Sequence, residues 1–452
     1  MLRPERARRA PRGRHRWRRR GALALAAVVG ASTVAACGVP TVDDQGRAIL
    51  NWYINPDGQE TLTALAEECS TDDYTIQIQL LPTSATDQRT QLARRLAADD
   101  ATTNLMSLDP VFVPEFANAG WLAPFEGERG EKALEGVLDG AAESVQWNDE
   151  VVAAPQWANT QVLWFRKSLA EAAGLDMSQP VTWQEIIEAA DAEGGTVGVQ
   201  ANRYEAYVVW INALIQGAGG NILDPDTVEE GRDAKVTLDT DPVREAAKVI
   251  EQLTDSDATH DDYTTSNEGT SLGRMWPGEG PGQFMVNWTF VFKNYADAVG
   301  QPGGPPDEQA LEDLGWARYP RTLPDEPSKP PVGGIVIGVG AFTPDVDQAQ
   351  EAALCVTSPE AQAQLAVNDG LMPAREGVYD DPELQDAYPS DLLELYSTSI
   401  DEGGPRPKSA FYSQISSALQ SVWHSPTTVS PERTPEEAQD FVTSILREES
   451  LL

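Results

Sequence analysis

Ala48 to Ile54 (AILNWYI), Gly58 to Cys69 (GQETLTALAEEC), Tyr74 to Leu81 (YTIQIQLL) and Asp87 to Ala98 (DQRTQLARRLAA) decide the fold between them. The first is a mostly apolar stretch of strand length, interrupted by Asn51, and the third alternates apolar and polar residues with period two. The second and fourth carry apolar residues at helical spacing. Strand, helix, strand, helix in succession means parallel strands joined by crossover helices. Such sheets gather ligand groups in the loops at the carboxyl ends of their strands. The fold class expected is therefore α/β.

The pattern continues downstream. Asn104 to Leu108 reads as a short strand, and Pro114 to Ala119 as a helix before Gly120-Trp121-Leu122-Ala123-Pro124. Trp183 to Ala190 and Tyr204 to Gln216 read as helices around a strand at Thr196 to Gln200. Pro/Gly-rich stretches at 277–282 and 302–306 read as surface loops, and Pro324 to Val332 as a connection. Gly334 to Gly340 (GIVIGVG) returns as a buried strand, and helices are expected at 347–356, 359–368, 391–399, 409–423 and 435–448.

The amino terminus reads as an export signal. Residues 1 to 20 hold ten Arg and one acid, Glu5, followed by the uncharged run GALALAAVVGASTVAA (21–36) and then Cys37. A basic segment, a short apolar segment and small residues at a cut site are the parts of a secretory signal. The 16-residue run is shorter than the roughly 20 residues a spanning helix needs. Val34-Ala35-Ala36-Cys37 resembles the lipobox of bacterial lipoproteins, which implies acylation of Cys37 and anchoring on the outer face of the cell membrane. A plain signal with an incidental Cys is the alternative. Arg18-Arg19-Arg20 leaves both the general secretory and the twin-arginine routes open.

Cleavage before Cys37 would leave 416 residues with 23 basic and 70 acidic side chains, a formal charge of −47. No basic stripe remains to replace phosphate counterions, so nucleic acid is excluded as a partner. The length exceeds what one core organises, so two domains are expected. With Cys37 lipidated, Cys69 and Cys355 remain, an even number in an oxidising compartment. They could pair or stay as buried thiols.

Enzyme signatures are sparse. His15, His260 and His424 are the only histidines, with no HExxH, no Cys pair at metal-ligand spacing, no GxSxG, no Walker loop and no dinucleotide fingerprint. No metal or cofactor is expected. Glycoside hydrolysis needs only two carboxylates, so an extracellular glycosidase stands as the enzyme alternative, and a peptide receptor or adhesin as a third class.

Five segments carry a family resemblance. Leu163 to Leu175 (LWFRKSLAEAAGL), Pro180 to Glu185 (PVTWQE), Gly120 to Phe125 (GWLAPF), Val151 to Pro155 (VVAAP) and Thr357 to Arg375 (TSPEAQAQLAVNDGLMPAR) resemble family 1 extracellular solute-binding proteins of ABC importers. The resemblance implies a two-lobed periplasmic-binding-protein fold of type II, each lobe a mixed sheet flanked by helices, with a hinge between lobes. It implies a first lobe of 48–157 and 331–378 and a second of 158–330 and 379–452, after a signal at 1–36 and a tether at 37–47. It places Cys69 and Cys355 together in the first lobe as a disulfide. It also implies a monomer that performs no chemistry and hands its solute to membrane permease subunits.

Within the family, QLARRLAADD (91–100), EFANAGW (115–121), VQAN (199–202), VVWINALI (208–215), VNWTFVF (286–292) and the Cys69/Cys355 pair are similar to the trehalose-recognising lipoproteins of actinobacteria. That likeness implies hydrogen bonds to a disaccharide from Asp109, Asn159 and Glu268, and stacking on Trp288. It further implies backbone contact from Gly334 and a reach into the cleft by Arg406. Asn55, Asp57 and Trp157 are further candidates, although Ile54-Asn55-Pro56-Asp57 departs from the group's pattern. Trehalose is the disaccharide so implied, with maltose or another oligosaccharide as the alternative. Planar donor and acceptor side chains beside an aromatic platform suit a sugar's hydroxyls and C–H faces.

Overall fold

The computed structural model describes residues 42–276 and 280–452. The expected signal, Cys37, the start of the tether and part of the 277–282 loop lie outside the described residues.

In the first lobe, β1 (Ala48–Ile54), α1 (Gln59–Glu68), β2 (Tyr74–Leu80), α2 (Ala85–Leu96) and β3 (Leu105–Leu108) follow one another. β1 pairs in parallel with both β2 and β3, Trp52 standing opposite Ile78 and Leu105. Next comes β4 (Ala153–Arg166), 14 residues long. The second lobe adds α3 (Trp183–Glu193), β5 (Thr196–Gly198), α4 (Glu205–Gly217), α5 (Asp241–Asp255), α6 (Glu268–Gly273), β6 (Gln283–Trp288) and β7 (Leu314–Ala317). The chain returns through β8 (Val332–Val339), α7 (Val346–Val356) and α8 (Pro359–Asp369), then ends in α9 (Ser390–Asp401), α10 (Tyr412–Trp423) and α11 (Thr434–Leu446). Hydrogen bonding links the strands in the order β2-β1-β3-β8-β4-β6-β5, with β7 also on β4.

β4 is the reason one ladder serves two lobes. Its residues 153–160 pair antiparallel with β8, while 161–166 pair with β6 and β7. Its middle is polar yet buried, and three of its side chains each donate a hydrogen bond, while Gln156 Oε1 and Gln161 Oε1 stay buried without a protein partner. Gln156 Nε2 donates to the Val356 carbonyl at 2.9 Å, Thr160 Oγ1 to that of Pro331 at 3.1 Å, and Gln161 Nε2 to Gln200 Oε1 at 3.1 Å. Burial without those bonds would cost roughly 1–3 kcal/mol per group. A third passage runs beside β4, where the Ala158 N–H donates to the Met372 carbonyl at 3.0 Å.

Each lobe has apolar packing on both sheet faces. Leu62, Leu65, Ala352 and Leu365 pack on one face of the first sheet, and Leu92, Phe112 and Phe116 on the other. In the second lobe, Trp183, Trp210, Ile250 and Leu419 cover one face. Trp164, Met285, Leu392 and Tyr396 cover the other. Local signals fix the helix ends: Thr182 and Glu185 form a reciprocal cap at the start of α3, with Thr182 N donating to Glu185 Oε2 at 2.7 Å. Two carboxy-terminal helices are shorter than the sequence pattern suggests. α10 begins at Tyr412 rather than 409, because Pro405 to Ser409 run outside the helix, and α11 ends at Leu446. The sulfurs of Cys69, closing α1, and Cys355, in α7, lie at bonding distance with Cα atoms 5.8 Å apart.

Candidate solute-binding cleft

The loops after the strands bring polar side chains together where the lobes meet. After β1, Asn55 is buried, and its Nδ2 donates to Asp57 Oδ2 at 2.8 Å. Its Oδ1 is buried without a protein partner. After β3, Asp109 caps a short 3-10 turn, its Oδ1 accepting from the Val111 N–H at 3.2 Å. Both of its carboxylate oxygens are also held by Arg406, from Nη2 to Oδ1 at 2.8 Å and Nη1 to Oδ2 at 3.2 Å.

Arg406 approaches from the second lobe, between Pro405 and Pro407, with 6 % of its side chain exposed. Burial works against its charge, but the carboxylates of Asp109 and Glu205 and the Tyr412 hydroxyl outweigh that and raise its pKa well above the usual arginine value. Glu205 opens α4 and accepts from Arg406 Nη1 at 2.8 Å, from Ser416 Oγ at 2.6 Å and from the Tyr412 hydroxyl.

Trp288 ends β6 opposite Gln161 of the crossing strand. Its ring lies against Gly333, where the missing side chain leaves room. Glu268 starts α6; the Tyr204 hydroxyl donates to its Oε2, and Asn287 Nδ2 donates to its backbone carbonyl at 3.1 Å. Burial pushes the Glu268 carboxyl above the ordinary range, and the nearby Asp57 charge adds to the shift. Burial and the Glu268 charge likewise push the Tyr204 hydroxyl well above its ordinary value. Asn159, on the crossing strand, has its Oδ1 3.2 Å from the Thr289 hydroxyl. Gly334 holds φ at +139°, and a Cβ there would come within 2.1 Å of the Trp157 carbonyl oxygen.

Trp157 stands apart from this group. It is 3 % exposed and packs in the first-lobe core. It borders a cavity of about 480 Å³, which Pro110, Ile222, Leu223, Val332, Gly333 and Arg406 also line. Of the nine expected ligand residues, only Trp157 and Arg406 line that cavity.

Tyr204, Glu205, Thr289, Tyr412 and Ser416 were not legible as site residues. Glu205 did leave a signal, as the sole acid in a helix whose other residues are almost all buried. Among the described residues, no cluster of His, Cys, Asp and Glu is placed to hold a metal ion, and no helix is long and apolar enough to cross a membrane.

The architecture has known counterparts. The structure of T. maritima MalE3 with maltose bound superposes with a TM-score of 0.76 at 26 % identity, covering 89 % of this chain and all of that one. The GacH receptor of Streptomyces glaucescens superposes with a TM-score of 0.73 at 20 % identity, over 88 % of this chain and 98 % of that one. In sequence, the maltotriose-binding protein of Pyrococcus abyssi is 26 % identical over 281 residues, 61 % of this chain. The mannitol-binding protein of Pseudomonas aeruginosa is 28 % identical over 103 residues, 22 % of this chain. The matches span 55 % and 24 % of those two relatives' own lengths. These relatives bind solutes and are not enzymes. A profile described as bacterial extracellular solute-binding protein matches residues 55–363. With that match across most of the chain and a two-lobed α/β fold to go with it, the protein belongs to the bacterial extracellular solute-binding protein family.

Proposed function

We propose that the protein is the receptor of an ABC sugar importer, closing its two lobes on a disaccharide and delivering it to permease subunits in the membrane. The observation that carries this reading is the half-buried ring of Trp288 beside Gly333, with Arg406 near the same glycine and bonded to Asp109, and with Glu268 near Trp288 and the Asn55–Asp57 pair. An aromatic face takes the apolar C–H side of a pyranose, and the polar groups take its hydroxyls. A site built this way rejects analogues without hydroxyls, because its own buried groups would then be left unpaired. The buried, unpartnered Asn55 Oδ1 is an acceptor available for one such hydroxyl.

In this reading Asn159 and the Gly334 backbone contribute further contacts, and Trp157 supports the crossing strand from the core. Trehalose is the favoured sugar, on the sequence motifs around Trp288 and α2. Maltose or a longer maltosaccharide is the second reading, supported by the names of the MalE3 and maltotriose-binding relatives. Lipid at Cys37 would keep the monomeric receptor on the outer face of the membrane beside its permease. Isothermal titration with trehalose, maltose and sucrose tests the reading, with Trp288→Ala as the control that removes the platform. Sugar binding that survives Trp288→Ala undiminished would contradict it.

A further inference from the structure

Glu205 joins the two halves of the interlobe contact. Its Oε1 accepts from Arg406 Nη1 at 2.8 Å and from the Tyr412 hydroxyl, and its Oε2 from Ser416 Oγ at 2.6 Å. Gln420 Nε2 donates in turn to Ser416 Oγ at 3.0 Å. All of these donors belong to the carboxy-terminal segment packed on α4, and Glu205 itself has 7 % of its side chain exposed. Arg406 turns its remaining hydrogen-bonding edge to the first lobe, where Asp109 receives it through two bonds. Further along the same two chain segments, Phe112 meets Tyr412 edge to face with ring centroids 6.2 Å apart.

We propose that Glu205 is the positioning residue of lobe closure. It fixes Arg406 to the second lobe, so that the guanidinium already faces Asp109 when the lobes come together. Two physical effects support the assignment. Arginine carries a long, freely rotating side chain, and ordering it at each closure would cost rotamer entropy. A guanidinium held beforehand by Glu205 avoids most of that cost. In addition, opening breaks only the Asp109 bonds. Arg406 and Glu205 remain as a neutral pair, and Asp109 is hydrated, so opening strands no buried charge.

The role rests on the proposed function only in taking solute capture as the purpose of closure. The primary readout therefore needs no solute. Spin labels at Arg94→Cys on α2 and Glu188→Cys on α3, both exposed positions, report the distance between lobes in the full chain. Glu205→Gln and Asp109→Asn should each shift the distribution toward longer distances, and the double variant should shift no further than either alone. A Glu205→Gln distribution equal to wild type, or additive shifts in the double variant, would overturn the proposal. If Glu205→Gln does not fold, Ser416→Ala removes one of the three donors. It should give a smaller shift in the same direction, and no shift would equally overturn the idea. Where trehalose or maltose binds, Glu205→Gln should weaken it about tenfold, and should add nothing in an Arg406→Gln background. Distance shifts as described with no sugar bound by wild type would defeat the sugar-receptor reading and leave the role of Glu205 intact.

Discussion

Gly333 faces the ring of Trp288 so closely that a Cβ on the glycine would sit 3.4 Å from Cη2 and Cζ3. That is ordinary contact distance, so one methyl group fits while a larger side chain would cover the ring. Gly333→Ala should leave sugar affinity within a few-fold of wild type, and Gly333→Leu should lower it more than tenfold, as a blocked stacking face predicts. Titration calorimetry on both variants, with melting temperature as a check on folding, reads the outcome. Equal affinities for the two would remove Trp288 as the platform.

Gly334 is constrained by its backbone instead. Its φ of +139° lies where side chains are strained, and a Cβ would collide with the Trp157 carbonyl oxygen at 2.1 Å. Gly334→Ala should cost roughly 3 kcal/mol or more of stability. Urea unfolding followed by circular dichroism checks this, and an unchanged midpoint would show that the β4–β8 contact is looser than described.

Cys69 and Cys355 sit 286 residues apart in sequence, yet both pack in the first-lobe core. Loop-closure entropy gives a crosslink of that span on the order of 5 kcal/mol, with engineered cases often delivering less. Reduction, or the Cys69→Ser/Cys355→Ser pair, should lower the melting temperature while leaving sugar affinity within about twofold, because the link stays inside one lobe and does not cross the hinge. A large loss of affinity with little loss of stability would contradict that separation.

Glu268 makes stability depend on pH in a defined direction. Burial raises its carboxyl above the ordinary value of 4.5. Between the unfolded value and the raised folded one, the folded protein holds more protons, so stability is highest below this window and falls as pH rises through it. Glu268→Gln removes the titrating group. The stability difference between wild type and variant should therefore move against wild type from about pH 4.5 upward. Melting curves from pH 4 to 8 on both proteins measure it, and a parallel pair of curves would show that Glu268 does not titrate in a buried setting.

The first lobe was legible because its signals are local. The patterns of β1, α1, β2 and α2 survive in sequence since α1, β2 and α2 each bury one face and β1 is apolar apart from Asn51. β4 was harder. Its 14 residues include Gln156, Asn159, Thr160 and Gln161, which break the apolar run, and only their tertiary hydrogen bonds explain why they are buried. α5 carries a clean apolar face of Val243, Ala246, Ala247, Ile250 and Leu253, yet no helix is assigned there from the sequence. In the site, Asp109 and Arg406 were named only through the family likeness, and nothing in sequence links positions 297 residues apart. Their pairing, and the place of Glu205 beneath it, appear only when α4 and α10 meet the end of β3.

The central claim is that the interlobe cleft binds a disaccharide. A thermal-shift series with trehalose, maltose, sucrose, cellobiose and glucose tests it most directly, in wild type and Trp288→Ala. At a concentration near 100 times Kd, the matching disaccharide should stabilise wild type by about 2.7 kcal/mol. Trehalose should give the largest shift, glucose little, and Trp288→Ala should lose the response. No shift with any of the five sugars in folded wild-type protein would contradict the claim.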